Sequence, residues 1–217
     1  MKVVDFSQEN TILGKYVSEI RDKVVQKDSM RFRRNLERMG ELFAIEISKC
    51  LNYETKEVTT PLGIAQCRVP SDQIVAATIL RAGIPVHNGV LNVFDQAQNA
   101  FIAAHRKYGK DNKFDIRVEY SSAPALEGKV LILADAMVAT GSSLLLAYKK
   151  LCESGEPAHT HFICAIASRQ AMETLSKALP HKRVTFWVGA VDDELTLKSY
   201  IIPGLGDAGD LCYGQKM

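Results

Sequence analysis

The stretch of this chain richest in chemistry is Val130-Leu-Ile-Leu-Ala-Asp135-Ala-Met-Val-Ala-Thr140-Gly-Ser-Ser143. It starts as an apolar run without polar alternation, which reads as a strand buried on both faces of a parallel sheet. Asp135 stands where that strand should end. Thr140, Gly141, Ser142 and Ser143 follow, and a helical pattern opens at Leu144. A strand, a small-residue turn and a helix N-terminus together make an anion site: backbone N–H groups point outward, the helix dipole adds positive potential, and glycine lets a ligand approach closely. The hydroxyls add donors, and Ser142 or Ser143 can also cap the helix.

Three further segments carry groups of the same kind. In Thr78-Ile-Leu80-Arg81-Ala82-Gly83-Ile84-Pro85 a buried strand ends at Arg81, a fixed fork of donors suited to phosphate or diphosphate. Gly83 permits a tight or left-handed turn, and Pro85 suits the first turn of a helix. His105-Arg106-Lys107 follows a strand at Ala100–Ala104, and residues 108–115 read as a polar loop able to close as a lid and exclude water. Lastly, Tyr200-Ile-Ile-Pro-Gly-Leu-Gly206-Asp207-Ala208-Gly-Asp210 packs glycines and a proline too densely for helix or strand. A turn-rich path of this kind presents backbone N–H and C=O groups to a ligand.

These segments need a scaffold that brings strand ends together. Between them the chain alternates strands with helices: Ile74–Leu80, a helix over Pro85–Gln96, Ala100–Arg106, Ile116–Tyr120, Val130–Ala134, a helix to Ser154, His161–Ser168, a helix over Gln170–Leu179, and Val184–Val188. The pattern predicts an α/β fold with a mainly parallel sheet flanked by helices, whose ligands sit beyond the carboxyl ends of the strands. Two helices are expected before it, one over Asn10–Val25 and one starting at Asp28 or Ser29, with Leu36, Met39, Phe43 and Ile47 on its apolar face. Its charged face reads as solvated, with Arg33 as the exception. Glu54–Thr60 and Ile64–Val69, joined by Pro61-Leu-Gly63, read as a β-hairpin.

At 217 residues, 47% hydrophobic and 24% charged, the chain suits one soluble domain with a substantial core. A net charge of +2 gives no reason to propose nucleic acid as a partner. The five cysteines are scattered without a CxxC pair, which predicts free thiols in a reducing compartment. The N-terminus is too polar for a signal peptide and no apolar stretch reaches membrane-spanning length, so a cytoplasmic protein is expected. His159 and His161 share a strand face without an evident third ligand, and Trp187 reads as core. ATPase and Rossmann glycine motifs are absent.

The Asp135-x-Met137-x-Ala139-Thr140-Gly141 run resembles the phosphoribosyl pyrophosphate (PRPP) loop of type I phosphoribosyltransferases, in the form found in the uracil phosphoribosyltransferase family. Leu80-Arg-Ala-Gly83 is similar to that family's diphosphate loop, and Tyr200–Asp210 to its uracil-recognition segment. Ile20-Arg-Asp-Lys23 and Phe32-Arg33 look like its N-terminal helices. The resemblance implies a single domain over residues 1–217, with N-terminal helices at about 8–52, a hairpin arm at about 54–69 and a uracil-binding hood at about 190–217. It implies PRPP contacts from Arg81, Arg106, Asp135, Ala136, Met137, Val138, Ala139, Thr140, Gly141, Ser142, Ser143 and Asp207. Arg81, Arg106, Asp135 and Asp207 would carry the catalysis, and Ile201, Gly206, Asp207 and Ala208 would contact uracil.

The same resemblance implies transfer of a phosphoribosyl group from PRPP to uracil, giving UMP and diphosphate. Mg²⁺ would be the cofactor without a dedicated protein metal site, the chain would form a homodimer or homotetramer, and GTP would be a candidate effector. The chain departs from the family at Ala136, where proline is usual, and at Ser142, where a second glycine is usual. Two rivals differ in class. A PRPP- or nucleotide-sensing regulator on the same fold would not need the base-binding segment. Purine and orotate transferases usually carry two adjacent acids before the loop, where this chain has Ala134-Asp135.

Overall fold

A computed structural model of the chain describes residues 1–108 and 114–215; of residues 104–108, 114–117 and 181 the backbone alone is described. The expected lid at 108–115 therefore lies largely outside the described residues.

The parallel strands form where the sequence runs apolar without alternation. β4 (Ile74–Leu80), β7 (Val130–Val138), β8 (His159–Ser168) and β9 (Val184–Asp192) are buried over most of their lengths. They join β1 (Lys2–Asp5), β5 (Gln98–Tyr108) and β6 (Phe114–Ser122) in a seven-stranded sheet of order β1-β9-β8-β7-β4-β5-β6. Every pairing is parallel except β5 with β6. The mainly parallel α/β class expected from the sequence is thus the one observed.

Helices cover both faces. α1 (Leu13–Arg21), α2 (Ser29–Ser48), α3 (Ile84–Val93) and α6 (Ala208–Tyr213) pack over Ile132, Ala134, Ile163 and Trp187. On the opposite face α4 (Ser142–Cys152) and α5 (Arg169–Ala178) cover Leu131, Leu133, Phe162 and Val188. β2 (Tyr53–Thr60) and β3 (Gly63–Pro70) form the expected hairpin, a separate two-stranded sheet. β10 (Glu194–Leu195) and β11 (Ile201–Ile202) form a second small antiparallel pair beyond β9.

The local signals explain most boundaries. The Asp28 carboxylate accepts the Arg31 N–H at 3.0 Å and caps α2. The first helix is shorter than expected: α1 stops at Arg21, and Asp22 turns the chain by accepting the N–H groups of Val24 and Val25. β1 was not expected. It is a four-residue edge strand whose pairing with β9, Val3 opposite Phe186, is supplied by the rest of the sheet rather than by its own pattern. The charged face of α2 is ion-paired rather than merely solvated, with Arg31 bound to Glu19 and Arg34 to Glu37.

The tightest approach in the helical layer is between α2 and α3. A Cβ on Gly40 would lie 2.1 Å from the Val86 carbonyl oxygen, and one on Gly89 would lie 2.0 Å from the Glu37 oxygen. These contacts are backbone to side-chain position, so rotamer changes cannot relieve them. Gly40→Ala should therefore destabilise the protein by about 1–3 kcal/mol through overpacking, against a helix-propensity gain of up to about 1 kcal/mol. Gly14→Ala in exposed α1, where a new Cβ meets nothing within 4 Å, should instead be neutral or stabilising. Urea unfolding midpoints of the two variants, moving in the same direction by the same amount, would contradict close helix approach as the cause.

Candidate active site

The strand order places the site. From β4 the chain steps outward through β5 to β6, then returns to the other side of β4 as β7 and proceeds through β8 to β9. The connections that leave the carboxyl ends of β4 and β7 therefore run to helices on opposite faces of the sheet, and a crevice opens at this reversal of strand order. A cleft of about 600 Å³ lies there, walled by the β4 end (Arg81), the β7 loop (Asp135, Thr140) and the C-terminal segment (Gly206, Asp207). Three of the four segments singled out from the sequence thus converge on one space.

β7 extends further than its apolar run suggested. It continues to Val138, paired with β8 as far as Val138 opposite Ala167, so Asp135 is a strand residue rather than the first loop residue. Its carboxylate accepts the Ala136 N–H at 2.7 Å. Burial nonetheless raises its pKa to about 7, only partly opposed by the N–H groups of Ala136 and Met137. The neighbouring strand residue, Cys164, is pushed well above the usual thiol range by burial and by the Asp135 charge.

After Val138 the chain turns into α4. Gly141 has φ = 80°, a conformation glycine adopts without a Cβ penalty, and its carbonyl accepts the Leu145 N–H that starts the helix. Ser142 is not in the positive-φ region, so replacing the family's usual glycine there introduces no backbone strain. The Ser142 N–H reaches Thr140 Oγ1 at 3.4 Å, folding the hydroxyls into the turn. Ser168 pins the loop from outside: its hydroxyl donates to the Ala139 carbonyl and accepts the Ala171 N–H that caps α5. Sequence reasoning passed over Ser168, whose only signal is an N-cap residue after a strand.

Met137, Val138, Ala139, Thr140, Gly141 and Ser143 line the cleft. Ala136 and Ser142 do not. Ala136 is fully buried against the core, where a small side chain at that point of the strand is accommodated.

Arg81 follows β4 across a cis Leu80–Arg81 peptide bond and lines the cleft. Gly83 serves a different purpose from the one expected. Its φ is −69°, and a Cβ there would fall 2.4 Å from Thr78 Oγ1 and 2.8 Å from the Ala134 carbonyl oxygen. Close packing of α3 on the β4–β7 pair, rather than left-handed backbone, excludes a side chain. Arg106 lies within β5, opposite Ile116 in register, rather than at the start of a loop, because β5 and β6 pair out to Tyr108 and Phe114. Its side chain is outside the described residues.

The hood closes the other side. Ile202–Pro203 is cis, and Gly204 and Gly206 have φ of 56° and 92°. Asp207 caps α6 by accepting the Asp210 N–H at 3.0 Å. Gly206, Asp207 and Ala208 line the cleft, whereas Ile201 does not: its side chain is buried in the core and its backbone pairs with Leu195. Tyr200, which opens the segment singled out from sequence, lines the cleft too, as do Lys198 and Ser199 on the turn between β10 and β11, which were not assigned from sequence. Nothing in their spacing announced that the β10–β11 turn folds back over the crevice.

The hood is tied down by one buried carboxylate. Asp192, at the end of β9, receives two hydrogen bonds from the Arg21 guanidinium at 2.7 and 2.8 Å and one from the Gly204 N–H at 2.9 Å. Arg21 also donates to the Gly204 carbonyl. From α2, Arg33 donates to the Cys212 carbonyl at 2.6 Å and lies over the Tyr213 ring. Arg33 is thus the exception expected on that helix face. Away from the cleft, His161 accepts the Trp187 indole N–H and His159 meets the Thr185 hydroxyl, so both imidazoles have partners in the fold. Among the described residues no group of His, Cys, Asp or Glu is placed to hold a metal ion, and no helix is long and apolar enough to cross a membrane.

A mainly parallel sheet flanked by helices, with a strand–turn–helix loop over Asp135 to Gly141 at its point of reversed strand order, is the architecture of a type I phosphoribosyltransferase. A hypoxanthine phosphoribosyltransferase structure from Staphylococcus aureus shares the fold, with a TM-score of 0.50 at 11% identity over 75% of this chain and 76% of the other. A solved protein of Aquifex aeolicus superposes far better, at TM-score 0.86 and 30% identity over 98% of both chains. The family model for uracil phosphoribosyltransferase matches residues 7–215. The uracil phosphoribosyltransferase of Porphyromonas gingivalis is 50% identical over the full length of both chains. That of Thermococcus gammatolerans is 34% identical over 97% of this chain and 92% of its own. This chain belongs to the uracil phosphoribosyltransferase family.

Asp192→Ala should strip the Gly204 N–H bond from the hood and two hydrogen bonds from Arg21, leaving Arg21 without its carboxylate. The expected cost is about 3 kcal/mol, as for breaking an enclosed ion pair from one side, read as a lower unfolding midpoint. Hydrogen exchange should rise first at residues 201–209, and unchanged protection there would exclude Asp192 as the anchor.

Proposed function

We propose that this protein transfers the 5-phosphoribosyl group of PRPP to uracil, giving UMP and diphosphate. The observation that carries this reading is the convergence of the Asp135–Ser143 loop and the Gly206–Ala208 turn on one cleft. The first is shaped for a phosphorylated sugar, the second for a base. Uracil N1 bonds to the anomeric carbon, the bond from that carbon to the diphosphate oxygen breaks with its electron pair, and the N1 proton is released. The positive charge that develops on the ribosyl ring resembles that of other glycosyl transfers.

The protein's part is alignment and electrostatics. Backbone N–H groups of the β7–α4 turn, with the Thr140 and Ser143 hydroxyls, hold the 5′-phosphate. The Asp135 carboxylate accepts hydrogen bonds from the ribose hydroxyls. Arg81 faces the diphosphate, and resemblance to the family assigns Arg106 to the same group. Backbone groups of Gly206–Ala208 read the uracil edge; Ile201, buried beside the cleft rather than lining it, could take part only through its main chain. Mg²⁺ would be held by substrate oxygens and water rather than by a dedicated protein site, since among the described residues no three His, Cys, Asp or Glu side chains are grouped to hold a metal ion. When bound, that ion would neutralise charge on the leaving diphosphate. The exposed β2–β3 hairpin supports a homo-oligomer, a homodimer or homotetramer, and pyrimidine salvage in the cytoplasm is the setting this activity implies.

The direct test incubates the protein with PRPP, Mg²⁺ and each free base. UMP should form from uracil, with no product from cytosine, adenine or orotate. Cytosine presents a donor and a bare ring nitrogen where uracil presents an acceptor and N–H, and a site of enclosed polar groups rejects such a mismatch by up to about 10⁴-fold. Turnover of a purine in preference to uracil would overturn the reading.

Asp135 supplies a pH test. With its pKa at about 7 in the free protein, kcat/KM for PRPP should fall as pH drops through that value, because the protonated carboxyl loses its acceptor role. Asp135→Asn should abolish this acid limb and lower the plateau by roughly 10- to 100-fold, the worth of hydrogen bonds to a charged group. The folded-state pKa is raised, so this group's contribution to stability is complete below the unfolded value and is lost as pH rises through about 7. Asp135→Asn should therefore hold or raise the melting temperature at pH 8. A melting temperature that falls, or an acid limb that persists, would argue against this role.

A further inference from the structure

We propose that Asp210 is a positioning residue for Arg81, holding the guanidinium in the orientation that receives diphosphate; this rests on the reading of Arg81 just given. Arg81 lines the cleft, and Asp210 does not. Arg81 Nη2 lies 3.5 Å from Asp210 Oδ1 and 3.3 Å from the Gly214 carbonyl oxygen, so both partners come from α6 and its C-cap. Arg81 Nε is buried without a hydrogen-bond partner, and so is Asp210 Oδ1 apart from this ion pair.

A buried guanidinium N–H without an acceptor is costly. Its retention beside a cleft fits a group that is completed by a ligand. The Gly214 carbonyl accepts from one terminal nitrogen, the Asp210 charge flanks that same nitrogen, and the rest of the donor fork is left uncommitted. A diphosphate can then be met by a preorganised fork instead of one that must first be ordered from solvent.

The support behind Arg81 is itself supported. α6 starts at the Asp207 cap, carries Asp210 in its first turn, and is gripped at Cys212 and Tyr213 by Arg33. The same short helix thus begins at the turn assigned to the base and ends at the residues that brace the diphosphate arginine.

The test uses the full-length protein and separates positioning from simple loss of α6. In steady-state assays Asp210→Asn should raise KM for PRPP by about 3- to 5-fold, the upper end for an ion pair whose side chains are about a third exposed. KM for uracil should stay within about twofold, because the base-reading turn is held by Asp207 and Asp192. Asp210→Glu should recover part of the PRPP effect. Calorimetric titration with Mg²⁺ and inorganic diphosphate completes the cycle: Asp210→Asn should weaken binding in the wild-type background and have no further effect in an Arg81→Ala background.

Equal rises in both KM values, or an Asp210→Asn effect that survives in Arg81→Ala, would show a structural role only and overturn the proposal. Unchanged or tighter PRPP use in Asp210→Asn would overturn it as well. A wild-type protein that makes no UMP would instead refute the functional reading, and that outcome is visible before any variant is compared.

Discussion

The hood over this cleft hangs on the Asp192 carboxylate. A segment with three glycines and a cis proline has little secondary structure to hold it, and ordering each of its residues costs about 1–2 kcal/mol of backbone entropy. Asp192 counters that cost at the place where the hood leaves the sheet. It binds the Gly204 N–H directly and, through Arg21, the Gly204 carbonyl, so both polar groups of one residue are fixed by a single ion pair. The pair is well shielded, with the Asp192 side chain 7% exposed and Arg21 21% exposed. Its desolvation is offset by three good hydrogen bonds to one carboxylate, the condition under which an enclosed pair is worth keeping. The N-terminal helix α1 thereby becomes part of the site without touching the cleft.

The sheet supplies the complementary constraint. Parallel pairing of β4 with β7 in register, Thr78 beside Ala134, sets the ends of the two strands side by side. Arg81 directly follows the end of β4 and Asp135 lies in β7 one residue past that pairing, which sets the two groups proposed for diphosphate and ribose beside one cleft. Gly83 then lets α3 pack down against Thr78 and Ala134, where any side chain would push the helix away. The same enclosure that fixes Asp135 raises its pKa. A carboxylate poised near neutrality is one whose charged state is completed by what binds to it, and ribose hydroxyls are donors suited to that task.

Legibility in the sequence followed the range of the forces involved. The apolar runs of β4, β7, β8 and β9 report burial on both faces, which is a local property of composition, and their order predicted the parallel sheet. Turn chemistry was equally local, so the Pro61–Gly63 hairpin and the Gly141 turn could be placed. β1 could not, because four residues at a sheet edge have no period of their own and are ordered by β9. The end of β7 was misjudged for a related reason: Asp135 looks like a terminator, and only pairing with β8 as far as Ala167 carries the strand past it. Lys198, Ser168 and the Asp192 node were invisible because each acts through residues distant in sequence. The roles of Arg81 and of the Gly206–Ala208 turn came from resemblance to a family, and the fold then brought both to one cleft.

The two departures from the family's loop become intelligible once the backbone is known. Proline after the aspartate would fix φ and remove an N–H, yet here the Ala136 N–H is bound to Asp135 Oδ1 at 2.7 Å. Alanine therefore gives the carboxylate an internal donor that proline cannot, and that donor favours the charged form against the burial that opposes it. Serine at 142 costs nothing in backbone strain, because the left-handed residue of the turn is Gly141. Its N–H and hydroxyl both meet the Thr140 side chain, so the turn gains internal contacts where a glycine would have offered only its N–H. Both residues add a polar contact within the loop. The loop's path is fixed elsewhere, by Gly141 and by the Ser168 hydroxyl on the Ala139 carbonyl.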